Sequence, residues 1–141
     1  CWRLLYLVQS IETNGNSYPK EVSLPIRFCM ENKPHVHGYT ILKVSKSNPY
    51  YRTGKIIKGH EFHYSRPVFE KNAKIETVFE VERGVCLDGK KDGLIKNNLF
   101  ASYTHIHAAG NREWGEAFFG TAVNYRRFRG DAINKHLGQI D

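Results

Sequence analysis

Six of the seven histidines stand in close pairs, and the chain begins with a cysteine. The pairs are His35 with His37, His60 with His63, and His105 with His107. Residues two apart in a strand point to the same face, so the first and third pairs can each present two imidazoles together. A thiol at a helix N-terminus has a lowered pKa, so Cys1, which precedes a helical pattern, is a candidate nucleophile with a nearby histidine as its base.

Other chemistries fit the same residues. The paired histidines predict, as one alternative, a non-enzymatic module that binds a metal or a haem-like ligand. The run around Glu61 resembles the zinc motif His-Glu-x-x-His, with one residue fewer between its histidines. The histidines can also simply line a cleft as hydrogen-bonding residues. In a further alternative, Cys1 is an N-terminal nucleophile whose own α-amine is the base. Cys29 and Cys86 lie in apolar, strand-like surroundings and are expected to be inert core residues.

Length and composition exclude several classes of protein. The 141 residues are 40% hydrophobic and 25% charged, which is typical of one folded domain and not of a disordered chain. No apolar run approaches the ~18–20 residues that span a bilayer, so we expect no membrane partner and a cytoplasmic location. Three cysteines cannot all pair, which fits a reducing compartment. The net charge of +7 is compatible with a carboxylate-rich ligand or a solvated surface, and without a nucleic-acid motif we expect no nucleic-acid partner.

The elements that must position these residues follow from periodicity. The apolar spacing predicts a helix over the first dozen residues, ended by Asn14-Gly15-Asn16. Strands are predicted at 22–30, 38–46, 55–64 and 75–81, and a further buried strand at 98–103. Asp88-Gly89 and Asp92-Gly93 each predict a tight turn between short strands. An amphipathic helix is predicted to begin at Asn111, and residues after Gly130 are predicted to form a loose tail.

Five segments, in this order, resemble the cobyrinic acid a,c-diamide synthase family, whose members carry a cobalamin-type class I glutamine amidotransferase domain. They are Cys1 with Leu4-Leu5-Tyr6-Leu7-Val8-Gln9-Ser10-Ile11, Pro34-His35-Val36-His37-Gly38-Tyr39, Gly59-His60-Glu61-Phe62-His63-Tyr64-Ser65, Asp88-Gly89 with Asp92-Gly93-Leu94, and Ala101-Ser102-Tyr103-Thr104-His105-Ile106-His107. The resemblance extends from Cys1 to about Phe119. It implies an α/β fold, a three-layer sandwich with a mixed sheet, present only in part. Residues 1–129 would be the C-terminal part of the amidotransferase domain and 130–141 a tail.

The resemblance also implies a reaction. Cys1 falls on the nucleophile and His105 on the histidine that activates it, so that glutamine is hydrolysed through a γ-glutamyl thioester and ammonia is released. Supporting roles are expected for four further residues of the matching motifs, namely Glu61, His63, His60 and His107. Where the family has Gly-Gly after the nucleophile, this chain has Trp2-Arg3, which we expect to narrow the pocket or to reshape the oxyanion hole.

The remaining partners follow from the family alone. The ammonia would amidate acetate side chains of a carboxylate-rich tetrapyrrole, which is cobyrinic acid, hydrogenobyrinic acid, nickel sirohydrochlorin or sirohaem. ATP and Mg would bind a synthetase domain that these 141 residues do not include, so we expect no cofactor and no metal in this chain. Because the half-domain before the nucleophile is also not included, we expect the chain alone to hydrolyse glutamine poorly, and its uncovered apolar surface to favour a homodimer.

Overall fold

Two β-sheets and one long helix account for most of the described structure, a computed structural model that covers residues 2–70 and 75–137. Only the backbone is described at 2–3 and 130–137. The elements in chain order are α1 (Trp2–Tyr6), β1 (Val8–Thr13), β2 (Asn16–Pro19), β3 (Leu24–Met30), β4 (Val36–Val44), β5 (Ile56–His63), β6 (Ser65–Phe69), β7 (Glu76–Arg83), β8 (Lys91–Lys96), β9 (Leu99–Ala101), a 3₁₀ turn (Ala108–Gly110) and α2 (Glu113–Leu137).

The two sheets differ in the direction of their strands. The first has the order β2-β1-β3-β6, with β1 and β3 parallel and the other pairs antiparallel. The second has the order β5-β4-β7-β8-β9 and is antiparallel throughout. The expected α/β fold with a mixed sheet is therefore confirmed, and the four longest predicted strands are present within two residues of their expected bounds.

The predicted helix over the first dozen residues is wrong beyond Tyr6. The chain is helical only at Trp2–Tyr6 and then forms β1, which lies between β2 and β3. Along β1, Val8 and Ser10 are buried and their neighbours are half-buried. This period of two matches a strand with partners on both edges, and such tertiary pairing outweighs a weak local helical pattern.

Three predictions of secondary structure in the C-terminal half are also corrected. Asp88-Gly89 forms a turn as predicted, but Asp92-Gly93 lies inside β8, where Asp92 is fully buried. The predicted strand at 98–103 is only Leu99–Ala101, because the chain turns away at Ser102. The last helix begins at Glu113 and continues through Leu137, past the point where a tail was expected. Residues 138–141 lie outside the described residues, and the domain division at 129 stays a prediction.

Two groups of buried apolar side chains form the core. One joins α1 and the mixed sheet to the antiparallel sheet and is made of Leu4, Leu5, Val8, Leu24, Ile26, Phe28, Leu87, Leu94 and Tyr103. The other belongs to the antiparallel sheet and to the loops after β4 and β7, and is made of Leu42, Val44, Tyr51, Ile57, Val78, Phe79 and Cys86. Burial raises the pKa of Tyr51 to about 12. Apolar burial of this kind is the main favourable term in folding.

The antiparallel sheet curls so that its two edges approach each other. After β9, at one edge, the chain reaches β5, at the other edge, where His105 pairs with His60 through two backbone hydrogen bonds. Four residue steps from Ala101 to His105 span at most about 14 Å. A flat sheet would separate these edges by about 19 Å, since neighbouring strands lie about 4.8 Å apart. The curl therefore brings the residues after β9 to the edge strand β5.

Gly93 on β8 is packed tightly against the central strand β7. Its φ is +72°, and a Cβ there would lie 2.7 Å from Cδ2 of Phe79. We expect Gly93→Ala to lower the free energy of unfolding by about 3 kcal/mol, from backbone strain plus steric overlap. Urea denaturation measures this.

Gly89→Ala is the matched control. Gly89 has a similar φ of +79° but open space where a Cβ would be, so only the strain, about 1 kcal/mol, is expected. Equal losses in the two variants would contradict the packing explanation.

Candidate active site

A row of buried polar side chains runs along the junction of β5 and β6. Glu61, His63 and Ser65 alternate with exposed residues, and each is at most 3% exposed. The two strands are separated only by Tyr64, so one continuous extended segment passes from the antiparallel sheet to the mixed sheet. The alternation of strand side chains therefore places all three on the inner face.

Glu61 supplies the acceptors for the loop that joins β7 to β8. Its Oε1 accepts a hydrogen bond from the backbone N–H of Val85 at 2.6 Å, and its Oε2 accepts one from Cys86 at 2.7 Å. Cys86 has a left-handed φ of 51°. At Gly84, a Cβ would lie 2.9 Å from Oε1 of Glu61. The carboxylate thus holds a strained turn in place, and its desolvation is offset by these charge-assisted bonds.

His63 is fixed at both ring nitrogens. Nδ1 lies 2.9 Å from the carbonyl oxygen of Ser65, which can only accept, so Nδ1 carries a hydrogen. Nε2 lies 3.2 Å from Oε2 of Glu61, and this contact needs one proton, carried by the ring or by the carboxyl group. The ring also packs on Tyr103, with centroids 4.2 Å apart, while the Tyr103 hydroxyl lies 2.9 Å from Ser65 Oγ. Glu61, His63, Ser65 and Tyr103 thus form one buried network.

His105 lies on the other side of the same strand. Its backbone bridges His60, with N–O distances of 2.8 and 3.1 Å. Paired strand residues project to the same face, and the two rings meet edge to face at 5.0 Å. Burial lowers the pKa of His105, and positive charge on His60 and His63 lowers it further. At neutral pH the ring is therefore neutral and able to accept a proton.

Asp92 also belongs to this site, although the sequence did not predict a role for it there. Its buried carboxylate accepts hydrogen bonds from Gly93, Tyr103 and Thr104 N–H groups and from the Ser102 hydroxyl. The Asp-Gly pair predicted a turn, and no local pattern distinguishes it from Asp88-Gly89, which does form one. Only the pairing of β8 with β9 brings Asp92 beside the residues that lead to His105.

The remaining predicted site residues are placed as follows. Cys1 lies outside the described residues, so its distance to His105 is not defined. His60 and His107 are exposed. Among residues 2–70 and 75–137, no group of three or more His, Cys, Asp or Glu side chains is arranged to hold a metal ion, so the metal-binding alternative finds no support there. As far as they are described, neither helix is long and apolar enough to cross a membrane.

The other two cysteines have different surroundings. Cys86 is buried, its Sγ lies 3.4 Å from Thr104 Oγ1, and burial raises its pKa, which confirms the expected core position. Cys29 is half-buried and donates to Glu12 Oε2 at 3.2 Å, so its surroundings are more polar than expected. Burial also raises the pKa of the Cys29 thiol. Both thiols therefore stay protonated at neutral pH.

An apolar cleft of about 380 Å³ lies away from these groups, between α2 and the turn from β8 to β9. Phe100, Phe118 and Tyr125 are among its lining residues, and Thr121 of α2 donates a hydrogen bond to the carbonyl of Pro49 beside it. None of the predicted catalytic or supporting residues lines this cleft. The predicted site residues therefore lie elsewhere, on β5 and around His105.

Comparisons with known proteins point to one family. The family model of the CobB/CobQ-like glutamine amidotransferase domain matches residues 1–113. A cobyrinate a,c-diamide synthase of Archaeoglobus fulgidus is 32% identical over 87% of this chain and 26% of the relative. Proteins of the same name from Methanosphaera stadtmanae and Magnetococcus marinus are 34% and 35% identical over 86% and 81% of the chain. The chain spans about a quarter of the length of these curated relatives.

Gly59 is predicted to be essential for the contact between β5 and His105. A Cβ at Gly59 would lie 2.5 Å from Cγ2 of Thr104 and 2.6 Å from the His105 carbonyl oxygen. We expect Gly59→Ala to lower the free energy of unfolding by about 2 kcal/mol and to speed exchange of the His60 and His105 amide hydrogens. Gly38→Ala on β4, where a Cβ meets nothing within 4 Å, is the control. Indistinguishable variants would contradict this account of the close approach.

The lowered pKa of His105 predicts a pH dependence of stability. A histidine that binds its proton less tightly in the folded state than at its usual value of 6.5 favours the unfolded state as the pH falls below that value. Its stabilising contribution is complete above pH 6.5 and is lost on acidification. From about pH 7.5 to about pH 5.5, the unmodified protein should lose more unfolding free energy than His105→Gln, as measured with urea. A larger loss in the variant would show the sign to be wrong.

Proposed function

Because the chain belongs to the CobB/CobQ-like glutamine amidotransferase domain family, we propose that it is the glutamine-hydrolysing part of an ATP-dependent cobyrinate a,c-diamide synthase. The family match confirms the resemblance read from the five sequence motifs. The substrate of this part is glutamine, and its product is the ammonia used for amidation. The proposal for the whole enzyme is supported by the relatives named cobyrinate a,c-diamide synthase.

The proposed reaction uses Cys1 and His105. The Cys1 thiol gives its proton to the neutral His105 ring, and the thiolate attacks the side-chain amide carbon of glutamine. The tetrahedral intermediate collapses to a γ-glutamyl thioester as the imidazolium returns the proton to the departing nitrogen, so that ammonia leaves. His105 then takes a proton from water, which hydrolyses the thioester to glutamate and regenerates the thiol.

One observation carries the role of His105: its backbone is bonded at two points to an edge strand, while burial keeps its ring neutral. A general base must be uncharged at the working pH and must hold its position against the nucleophile. The side chain of a histidine in a flexible loop would lose entropy each time it reached the reacting group. The backbone bridge to His60 removes the backbone part of this freedom before the substrate binds.

The predicted supporting residues then act in different ways. His60 presents its ring to the His105 ring and, when charged, favours the neutral form of His105. Glu61 and His63 form the buried pair beneath β5, where they fix the strand and the loop around Cys86. His107 lies two residues beyond His105 at the surface, and its supporting role stays a prediction.

The remaining features of the proposed whole enzyme are those of a synthetase that uses the ammonia. ATP and Mg would serve a synthetase domain, which would activate acetate carboxylates of cobyrinate for attack by ammonia. The net charge of +7 suits a partner rich in carboxylates. A cytoplasmic location fits the free thiols of Cys29 and Cys86. The exposed aromatic side chains of α2, among them Phe119 and Phe128, support the expectation of self-association.

The proposal predicts loss of glutamine hydrolysis when either partner is removed. In the natural polypeptide that carries this sequence, Cys1→Ser should abolish measurable glutamate formation, and His105→Gln should lower kcat by about 10²–10⁴-fold. Cys29→Ser and His35→Gln are matched controls, since Cys29 donates to Glu12 and His35 pairs with Glu31. Both controls should stay within about 3-fold of the unmodified enzyme. A His105→Gln enzyme with normal kcat would refute the proposed base.

A further inference from the structure

The residues between β9 and His105 are organised around one carboxylate. Asp92, fully buried on β8, accepts a hydrogen bond at Oδ1 from the Tyr103 N–H at 3.1 Å. Its Oδ2 accepts one from the Thr104 N–H at 3.0 Å and one from the Ser102 hydroxyl at 2.8 Å. Three consecutive residues are thus bound to the same side chain, immediately before the histidine.

The Asp92 carboxylate accepts backbone hydrogen bonds from this segment, as a neighbouring strand does in a sheet. After Ala101 the chain leaves the ladder of β8 and β9, so the N–H groups of Tyr103 and Thr104 have no sheet partner from that ladder. A buried N–H without an acceptor is costly, and a carboxylate offers several acceptor positions in a small volume. The N–H of Gly93, which has a left-handed φ of 72°, donates to Oδ1 at 2.8 Å and fixes the carboxylate from its own strand.

Two further contacts connect the segment bound by Asp92 to the position of His105. The Tyr103 side chain is buried between the sheets, with its hydroxyl beside Ser65 and its ring edge-on to Phe28. Beyond Thr104, the next residue is His105, bridged to His60. Asp92 therefore binds the backbone of Tyr103 and Thr104, and β5 binds the backbone of the next residue, His105. A displacement of the backbone at Thr104 would also displace His105.

We infer that Asp92 is a positioning residue for glutamine hydrolysis, which sets the place of the His105 ring by binding the backbone of Tyr103 and Thr104. The inference rests on the proposed function of His105 as the base for Cys1. Asp92 touches neither glutamine nor the reacting atoms, and it acts only through the peptide groups that lead to His105. Its loss should therefore affect the chemical step more than the binding of glutamine.

The test uses Asp92→Asn, which keeps the size of the side chain but replaces one acceptor oxygen by a donor. In the natural polypeptide, we expect kcat for glutamine hydrolysis to fall about 10- to 100-fold while KM changes by less than about 3-fold. Asp88→Asn is the matched control, because Asp88 also precedes a glycine and its Oδ1 accepts from the N–H groups of Lys90 and Lys91 in an exposed turn. The control should match the unmodified enzyme.

A pH profile separates positioning of His105 from general structural support. The rate of Cys1 alkylation by iodoacetamide is measured against pH, which reports how strongly a base assists ionisation of the thiol. His105→Gln should shift the profile to higher pH, and Asp92→Asn should shift it in the same direction. In the His105→Gln background, Asp92→Asn should change the alkylation rate by less than about 2-fold. Asp88→Asn should shift nothing. Equal additional effects in both backgrounds would overturn the inference.

The outcomes distinguish failure of the positioning role of Asp92 from failure of the proposed function of His105. If His105→Gln changes neither hydrolysis nor alkylation, the proposed function fails. If His105→Gln changes both and Asp92→Asn changes neither, the proposed function stands and the positioning role fails. If Asp92→Asn does not fold by circular dichroism, Ser102→Ala is used instead, because Ser102 Oγ links the two partners: it donates to Asp92 Oδ2 and accepts from the Thr104 N–H. This variant should shift the profile in the same direction by less, and a Ser102→Ala profile like that of the unmodified enzyme would overturn the inference.

Discussion

The pairing of His60 with His105 is the contact on which the arrangement of this site depends. It joins the last part of the antiparallel sheet to the free edge of β5 and therefore requires the sheet to curl. It also requires glycine at position 59, because the carbonyl oxygen of His105 lies only 2.6 Å from the place that a Cβ would take. Backbone bonds at an edge strand give a reproducible position at little cost, since those groups would otherwise bind water. The backbone of a histidine placed in this way is already ordered in the folded protein.

Two buried carboxylates stabilise the backbone on either side of this contact. Glu61 binds the loop at Val85 and Cys86, and Asp92 binds the segment from Ser102 to Thr104. Each carboxylate is desolvated, and each is compensated by several hydrogen bonds, mostly from backbone N–H groups outside the strands. Irregular backbone can then be packed inside a small domain without orphaned polar groups. This explains why a chain so rich in strands keeps acidic side chains in its interior.

Much of the strand pattern was predictable, and the failures have identifiable causes. The alternation along β4 and β5 is strong because one face of each strand is largely buried, so their bounds were nearly correct. The helical spacing at Val8 was misleading because β1 gains partners on both edges from residues distant in sequence. Asp92-Gly93 looked like a turn because local propensity cannot report that Phe79 packs over the glycine and that Ser102 to Thr104 surround the aspartate.

The sequence by itself determined the family, through five ordered motifs whose residue types are set by chemistry, and with it the expectation that His105 and Cys1 act together. It also determined which residues can form strands, because side-chain alternation is a local property. Only the tertiary structure decided which of the paired histidines are buried, bonded or exposed. His63 is buried against Glu61, His107 is exposed, and His105 is bridged to β5. The physical reason is that desolvation and hydrogen bonding depend on neighbours brought together by folding, and residue spacing along the chain does not specify them.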